Sequence, residues 1–320
     1  MKPDAESIAA AGERLHRARR LTIVSHIRPD GDAVGSALGL AAALRAAGKT
    51  VTVALADGVP RSFQHLPGAA EVQPVGDYEA DTVVFVDSAD RERVGDAWKE
   101  DAPVHINIDH HITNTHYAEI NVVDGEAVAA AALIAELLPQ WGFEITPEAA
   151  SALLTGTITD TIGFRTSNMN SKALRIAADL VDRGAPISEL YYKALVETSF
   201  EALRYWGQGL SRLKRKDGVV WTYLTAEDRR IAGYTGSDDA DLVNELATIR
   251  EAQIAVVLIE QPDGTVKVSW RAKPGWDVSK LAVSFGGGGH APAAGATVAG
   301  PLQSAVERVI GATLKLLQNG

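Results

Sequence analysis

Two α/β domains are what this sequence predicts: a first domain built on a parallel sheet with helices on both faces, a smaller α/β domain after it, and a cleft between them. Three observations carry the expectation. Short β-branched runs alternate with Ala/Leu-rich helical stretches through the first half. The pattern turns to paired strands after about residue 200. A chain of 320 residues is long enough for two separate cores.

Leu21–Ser25 (LTIVS) is short, apolar and β-branched, and reads as the first strand. A polar turn containing Gly31 leads into the helical stretch Ala33–Ala47, which Gly48 is suited to stop. Val51–Leu55, Thr82–Val86 and Val104–Ile108 follow as buried strands, and Ala127–Trp141, Pro147–Ile162 and Ser171–Arg183 as helices. The first domain is placed at 1–185, a helical linker at 186–205 and the second domain at 206–320, with Tyr191–Arg212 read as the helical connection. In the second domain, Val219–Leu224, Ile254–Glu260 and Thr265–Arg271 read as strands, the last two joined by the turn Gln261-Pro-Asp-Gly264. Val278–Ser284 is helical and runs into Gly286–Gly289, and Gln303–Leu317 closes as an amphipathic helix.

The charge balance of 31 Lys+Arg against 41 Asp+Glu gives −10, which argues against binding long duplex DNA along a basic track. Cys is absent, so disulfides, a thiolate nucleophile, iron–sulfur clusters and Cys-based zinc sites are excluded. No apolar run reaches the ~18–20 residues of a membrane span, and the Ala-rich acidic start lacks a signal-peptide pattern. The expectation is a cytoplasmic protein without membrane contact.

The chemistry sits at the strand ends, where ligands of open parallel sheets bind. The first strand runs into Ser25-His26-Ile27-Arg28-Pro29-Asp30-Gly31-Asp32, the third ends at Asp87 and the fourth at Asp109-His110-His111. Asp160 emerges from an otherwise apolar helix. A single Asp or His in such a place is ordinarily a helix cap or a loop hydrogen-bonder. An adjacent His pair together with several acidic strand ends is not explained by independent caps. So many carboxylates repel one another unless cations neutralise them. Oxygen and imidazole donors without sulfur suit Mn²⁺ and, less selectively, Mg²⁺, Co²⁺, Fe²⁺ or Zn²⁺. Six ligands fit two divalent ions with one carboxylate bridging, the arrangement that clamps an in-line phosphoryl displacement.

In the second domain, the glycines after Phe285 permit close backbone approach to an anion, with His290 at their end and Arg271 on the neighbouring strand offering a bidentate fork to phosphate. Arg165 and Asn168, after Asp160, are candidates for reaching substrate, with local hydrogen bonding as the alternative. Arg28 and, shortly after His111, Asn114 are candidates for lining the cleft, with an exposed salt bridge as the alternative for Arg28. His16, His65, His105 and His116 read as structural or surface residues, and Trp98, Trp141 and Trp206 as packing residues.

These residues resemble a family. SHIRPDGDAVGS (Ser25–Ser36), Val86-Asp87-Ser88, Asp109-His110-His111, and Thr159-Asp160-Thr161 with FRTSN (Phe164–Asn168) are similar, in order, to the four motifs of the DHH phosphoesterases. FGGGGHAPAAG (Phe285–Gly295) resembles the signature of the DHH-associated C-terminal domain. Ile162-Gly163 departs slightly, since Gly more often follows the Thr directly. The resemblance implies His26 and Asp30 on a first metal, Asp32, His110 and Asp160 on a second, and Asp87 bridging them. It further implies Asp109 as an orienter and His111 as the residue facing the substrate, where it donates to a phosphoryl oxygen or assists the leaving group. A hydroxide bridging the metals is the implied nucleophile. Arg271, Gly287, Gly288, Gly289 and His290 would grip the distal end of a substrate held in the catalytic cleft.

Within the family, the compact chain and GGGGH signature are most similar to the bacterial nano-RNase and 3′-phosphoadenosine-5′-phosphate phosphatase branch. That resemblance implies hydrolysis of oligoribonucleotides of two to five nucleotides to mononucleotides, and of the nucleoside bisphosphate to AMP. The alternatives are a cyclic or linear dinucleotide phosphodiesterase, a RecJ-like single-strand exonuclease and a nucleotide-binding regulator without catalysis. An aminoacyl-tRNA editing domain would share the Gly-rich signature but leave the carboxylates unexplained. The oligomeric state, a homodimer included, stays open.

Overall fold

The structure, a computed structural model, describes residues 2–99 and 101–319. Two units, Met1–Glu197 and Thr198–Gly320, each carry their own core.

In the first unit, Asp4 starts α1 (Ala5–Arg17) by accepting from Ser7 N at 2.6 Å. There follow β1 (Arg20–Val24), α2 (Gly31–Ala46), β2 (Thr50–Ala54), β3 (Thr82–Val86), β4 (Ile106–Asp109) and β5 (Ile120–Val123), then α3 (Ala130–Gln140), α4 (Pro147–Asp160), α5 (Ser171–Asp182) and α6 (Ile187–Tyr191). The sheet order is β2-β1-β3-β4-β5, with every pairing parallel. The chain therefore leaves β1 to one side for β2 and returns to the other for β3. That reversal opens a crevice at the carboxyl ends of β1 and β3.

Alternation along the strands sorts the core. Leu21, Ile23, Val51, Val53, Val84, Val86, Ile106 and Ile108 pack under the α-helices, whereas Val24, Ala54, Val83 and Phe85 pack with Val94, Ala97 and Trp98 around the 3-10 segment Glu92–Ala97 on the other face. Residues buried on both faces give β3 its uninterrupted apolar run, TVVFV.

The expected helical connection Tyr191–Arg212 is not continuous. A π turn over Tyr192–Val196 ends the first unit's helices, and Ser199 restarts a helix by accepting from Ala202 N at 3.1 Å. Ser199 is a strong N-cap type, so it fixes a new start where periodicity alone suggests continuation.

The second unit comprises α7 (Phe200–Leu210), β6 (Lys214–Lys216), β7 (Val219–Leu224), α8 (Ala226–Ala232), α9 (Leu242–Ala247), β8 (Ile254–Glu260), β9 (Thr265–Ala272), α10 (Ser279–Ser284), β10 (Gly288–His290), β11 (Ala293–Ala299) and α11 (Leu302–Asn319). Its sheet order is β10-β11-β9-β8-β7-β6, antiparallel except for β7 with β8, which are joined through α8 and α9. Trp270 is fully buried, and its indole N–H donates to Thr313 Oγ1 at 3.2 Å. Truncating such a residue to Ala typically costs about 3–5 kcal/mol. Register aligns Arg271 with Ala293 and Ala293 with His290, so one row of one sheet face carries both Arg271 and His290.

Among the described residues, no helix is long and apolar enough to cross a membrane.

Candidate metal centre

Three adjacent parallel strands deliver the polar residues to one edge. β1 hands over to Ser25-His26, β3 to Asp87, and β4 ends on Asp109 before His110 and His111. Asp30 caps α2, accepting from Asp32 N at 3.0 Å and Ala33 N at 3.1 Å. Asp32, in the first turn of α2, is 1% exposed and accepts from Ala130 N at 2.6 Å, Ala131 N at 2.9 Å and Ser36 Oγ at 3.2 Å. It therefore serves the first turn of α3, whose own N-cap, Ala129, has no polar side chain.

Asp160, the last residue of α4, reaches the same place because α2 and α4 cross without intervening side chains. A Cβ on Gly35 would lie 2.5 Å from the Ala152 carbonyl oxygen, and one on Gly156 would lie 2.9 Å from Asp32 Oδ1 of α2. Only glycine permits this approach.

Two triads result, and Asp87 faces both. His26 Nε2 lies 3.8 Å from Asp30 Oδ1 and 3.4 Å from Asp87 Oδ2. His110 Nε2 lies 3.8 Å from Asp32 Oδ2, 3.6 Å from Asp160 Oδ2 and 3.6 Å from Asp87 Oδ1. His26-Asp30-Asp87 and Asp32-His110-Asp160 each place their donor atoms within 4.8 Å of one another, as does a third set, Asp87-His110-His111.

The donor set fits divalent cations on two counts. Asp87 Oδ1 is buried without a hydrogen-bond partner, an expensive state for a carboxylate oxygen unless something else satisfies it. The other count is the imidazoles: His26 Nδ1 lies 2.9 Å from the Ile27 carbonyl oxygen and His110 Nδ1 3.4 Å from that of Ala127. A carbonyl only accepts, so each Nδ1 carries the proton and each Nε2 is left toward the carboxylates.

The electrostatics agree. Burial, and after it the charges of Asp87, Asp160 and Asp30, hold the Asp32 carboxyl well above its ordinary range. Asp160 is raised to about 6 by burial and, against the pull of His110, by Asp87 and Asp30. Burial opposes ionisation of Asp87 as well, but His26, His110 and His111 outweigh it and draw that carboxyl down. For His26, the Asp87 and Asp30 carboxylates outweigh burial and raise the imidazole. Asp87 also sits at φ 51°, a left-handed conformation unusual for a non-glycine at a buried strand end.

His111 is held differently. Its Nδ1 donates to Asp109 Oδ1 at 2.8 Å, and Asp109 is fully buried. Burial lowers the His111 imidazole, but the Asp109 bond and charge and the Asp87 charge outweigh it, so the net shift is upward.

Of the other residues singled out in the sequence, Asn114 donates to Asp109 Oδ2 at 2.6 Å, whereas Arg165, Asn168 and Arg28 hydrogen-bond elsewhere. Arg165 is exposed and its Nε donates to the Ile162 carbonyl at 2.8 Å; Asn168 is exposed, and its carbonyl accepts from Asn170. Between Asp160 and these two residues, Ile162, Gly163 and Phe164 all take positive φ, a tight reversal at the place where the motif departs from the family pattern. Arg28 is exposed with φ 51°, and its N–H donates to Asp57 Oδ2.

In the second unit, the glycine run is an edge strand, β10, rather than a free loop. A Cβ on Gly287 would lie 2.1 Å from the Gly295 carbonyl oxygen, and one on Gly289 would lie 2.5 Å from Ala294 Cα, whereas Gly288 faces open space. Gly288, Gly289 and His290 are exposed. Arg271 Nε donates to Asn244 Oδ1 at 2.8 Å, and Nη1 donates to the Trp270 carbonyl at 3.1 Å. Sequence reasoning passed over Asn244, Asn107 and Tyr117, because an isolated Asn or Tyr carries no spacing signal.

Fold and site together define a class: α/β proteins that gather carboxylates and imidazoles at the carboxyl edge of a parallel sheet. The chain belongs to the DHH family. Residues 20–157 match the DHH family, N-terminal domain, and residues 219–318 match the DHHA1 domain. It is 38% identical, over 90% of its length and 87% of the relative's, to the bifunctional oligoribonuclease and PAP phosphatase NrnA of Thermus thermophilus. The crystal structure of an exopolyphosphatase-related protein from Bacteroides fragilis is similar to it with a TM-score of 0.89, 26% identity and coverage of 99% of this chain and 96% of the other. RecJ of Thermus thermophilus in complex with Mn²⁺ shares the fold at a TM-score of 0.55 and 13% identity, covering 98% of this chain and 54% of RecJ.

Proposed function

We propose that the protein is a metal-dependent phosphoesterase that acts in the cytoplasm. Its substrates are oligoribonucleotides of two to five nucleotides, cleaved to mononucleotides, and 3′-phosphoadenosine-5′-phosphate, dephosphorylated to AMP. The observation that carries the reading is Asp87, whose two carboxylate oxygens face two different His/Asp sets while one of them lacks any hydrogen-bond partner. The name of the relative at 38% identity supports the choice of substrates.

His26 and Asp30 would hold one divalent ion, Asp32, His110 and Asp160 a second, and Asp87 both; the all-oxygen-and-imidazole set favours Mn²⁺ over softer choices, with Mg²⁺ or Co²⁺ as substitutes. Bound there, such ions neutralise phosphoryl oxygens and lower the pKa of a coordinated water. The chain's own residues do the rest. Asp109 fixes the plane of His111 and keeps its Nδ1 proton, so that Nε2–H of the imidazolium would be the group able to give a proton to the departing ribose oxygen. Arg271, His290 and the exposed backbone at Gly288 and Gly289 bind the substrate's distal phosphate or sugar; Gly287, expected with them, instead donates its N–H to the Ala282 carbonyl at 2.9 Å.

The test is a substrate panel with Mn²⁺: a linear diribonucleotide, the adenosine bisphosphate, a cyclic dinucleotide and a long single strand. Turnover of the first two, at rates well above the last two, is the expected outcome. Failure to hydrolyse any of them with any divalent ion overturns the reading, and preference for the cyclic substrate or the long strand redirects it to a second-messenger phosphodiesterase or an exonuclease.

A further inference from the structure

A buried chain of hydrogen bonds runs from His111 away from the carboxylate cluster. Asp109 Oδ1 accepts from His111 Nδ1 at 2.8 Å, and its other oxygen accepts from Asn114 Nδ2 at 2.6 Å. Asn114 Nδ2 also donates to Asn107 Oδ1 at 2.8 Å. Asn107 Nδ2 in turn donates to the Tyr117 hydroxyl at 2.8 Å, and that hydroxyl donates to the Ser88 carbonyl at 3.1 Å. Asn107, Asp109 and Ser88 are each 0% exposed. Donor and acceptor roles are consistent along the chain: Asn114 puts its two amide hydrogens on Asp109 and Asn107 while its Oδ1 accepts from His116 N, and Asn107 accepts through Oδ1 and donates through Nδ2.

Both ends of this chain matter. One end sets the imidazole of His111. The other holds the carbonyl of Ser88, directly after Asp87 with its strained φ of 51°. Asn107 Nδ2 and Asn114 Nδ2 each lie a further 3.3 Å from that same carbonyl, so two amide nitrogens and the Tyr117 hydroxyl crowd around one backbone oxygen. A strained strand end persists only where its surroundings over-determine it.

We infer that Asn114, with Asn107 and Tyr117 behind it, is a positioning residue: it aims His111 at the leaving oxygen by holding Asp109. This rests on the phosphoesterase reading above. In that reaction water forms the new P–O bond and loses a proton to solvent, the old P–O bond breaks with its electron pair on the ribose oxygen, and the His111 imidazolium gives that oxygen its Nε2 proton, leaving the neutral Nδ1–H form on Asp109. A mispositioned His111 therefore slows departure of a poor leaving group such as a ribose alkoxide. It leaves departure of p-nitrophenolate, which needs no proton, nearly untouched.

The experiment compares wild type with Asn114→Ala, with Mn²⁺, on a diribonucleotide and on the p-nitrophenyl ester of thymidine 5′-monophosphate. The variant is expected to lose about 10- to 100-fold in kcat on the diribonucleotide, the usual range for a residue supporting a site ligand. Its KM stays within about twofold, as does its rate on the activated ester. An equal loss on both substrates marks a general structural role and overturns the inference, and so does no loss on either. Should Asn114→Ala fail to fold, Tyr117→Phe, which removes one hydroxyl, carries the test with the same substrate split at a smaller amplitude, and its absence is equally fatal. Wild type that hydrolyses neither substrate overturns the phosphoesterase reading instead.

Discussion

In the N-terminal unit, Asp32, Asp87 and His26 are 1%, 2% and 4% exposed, and backbone groups hold the Asp32 carboxylate and His26 Nδ1 while Asp87 Oδ1 keeps no hydrogen-bond partner. In the C-terminal unit, Gly288, Gly289 and His290 lie on an exposed edge strand and Arg271 is half-buried. The contrast follows from what each group must do. Buried carboxylates interact strongly through a poor dielectric, so they are costly alone and bind a cation tightly. An edge strand of glycines holds little apolar surface, but it leaves backbone N–H groups and an Arg fork accessible to an anion.

The largest expected effect tests the N-terminal side. Asp87→Ala removes the carboxylate that faces both triads, and diribonucleotide hydrolysis is expected to fall by more than about 100-fold, beyond the range for supporting residues. Circular dichroism should stay at wild type; retained activity would remove Asp87 from the centre.

Next is the cost of the carboxylates without a cation. Asp160 is raised to about 6 from its ordinary 3.8, so the unfolded chain loses this proton at lower pH than the folded one. Stability is then unaffected below about pH 4, falls as pH rises through that window to about 6, and stays reduced above it. The expected loss, allowing for partial exposure, is about 2 kcal/mol. It is read as the difference in urea unfolding between wild type and Asp160→Asn in chelator. Mn²⁺ at 100 times its Kd adds about 2.7 kcal/mol and should flatten the difference. A wild-type curve parallel to Asp160→Asn across that range would contradict the account.

On the C-terminal side, the glycines separate by sterics. Gly287→Ala forces a Cβ against the Gly295 carbonyl oxygen and should cost about 1–3 kcal/mol in thermal or urea unfolding. Gly288→Ala enters open space and should stay within about 0.5 kcal/mol. Equal destabilisation by both would undo the edge-strand description. Arg271→Ala has the smallest effect on turnover: KM is expected to rise about tenfold with kcat within twofold, the cost of one charge-assisted phosphate contact. An unchanged KM removes Arg271 from the substrate site.

Much of this was legible in the sequence because it is local. The runs LTIVS and TVVFV are too apolar for anything but buried strands, VHINI (Val104–Ile108) alternates like one, and a polar residue directly after such a strand must emerge at its carboxyl end. Thus His26, Asp87, Asp109 and the His pair could be assigned to one edge from strand order along the chain alone. The elements that escaped were those with weak local signals. In α1, only Ala11, Gly12 and Leu15 are buried among many charged residues. β11 (AAGATVA) has a helix former's composition and is a strand only because β9 and β10 flank it.

The residues alone supply the inventory: which carboxylates and imidazoles are available, and which strand ends carry them. Tertiary structure alone decided that β1 lies between β2 and β3, which sets His26 beside Asp87. It also decided that Asp32 serves the first turn of α3, and that Gly35 and Gly156 let α4 come near enough to α2 for Asp160 to meet His110. The reason is physical. Strand polarity and burial are encoded by neighbours in sequence, whereas strand order, helix contact distance and the pairing of charges depend on residues about a hundred positions apart, which meet only when the core is packed.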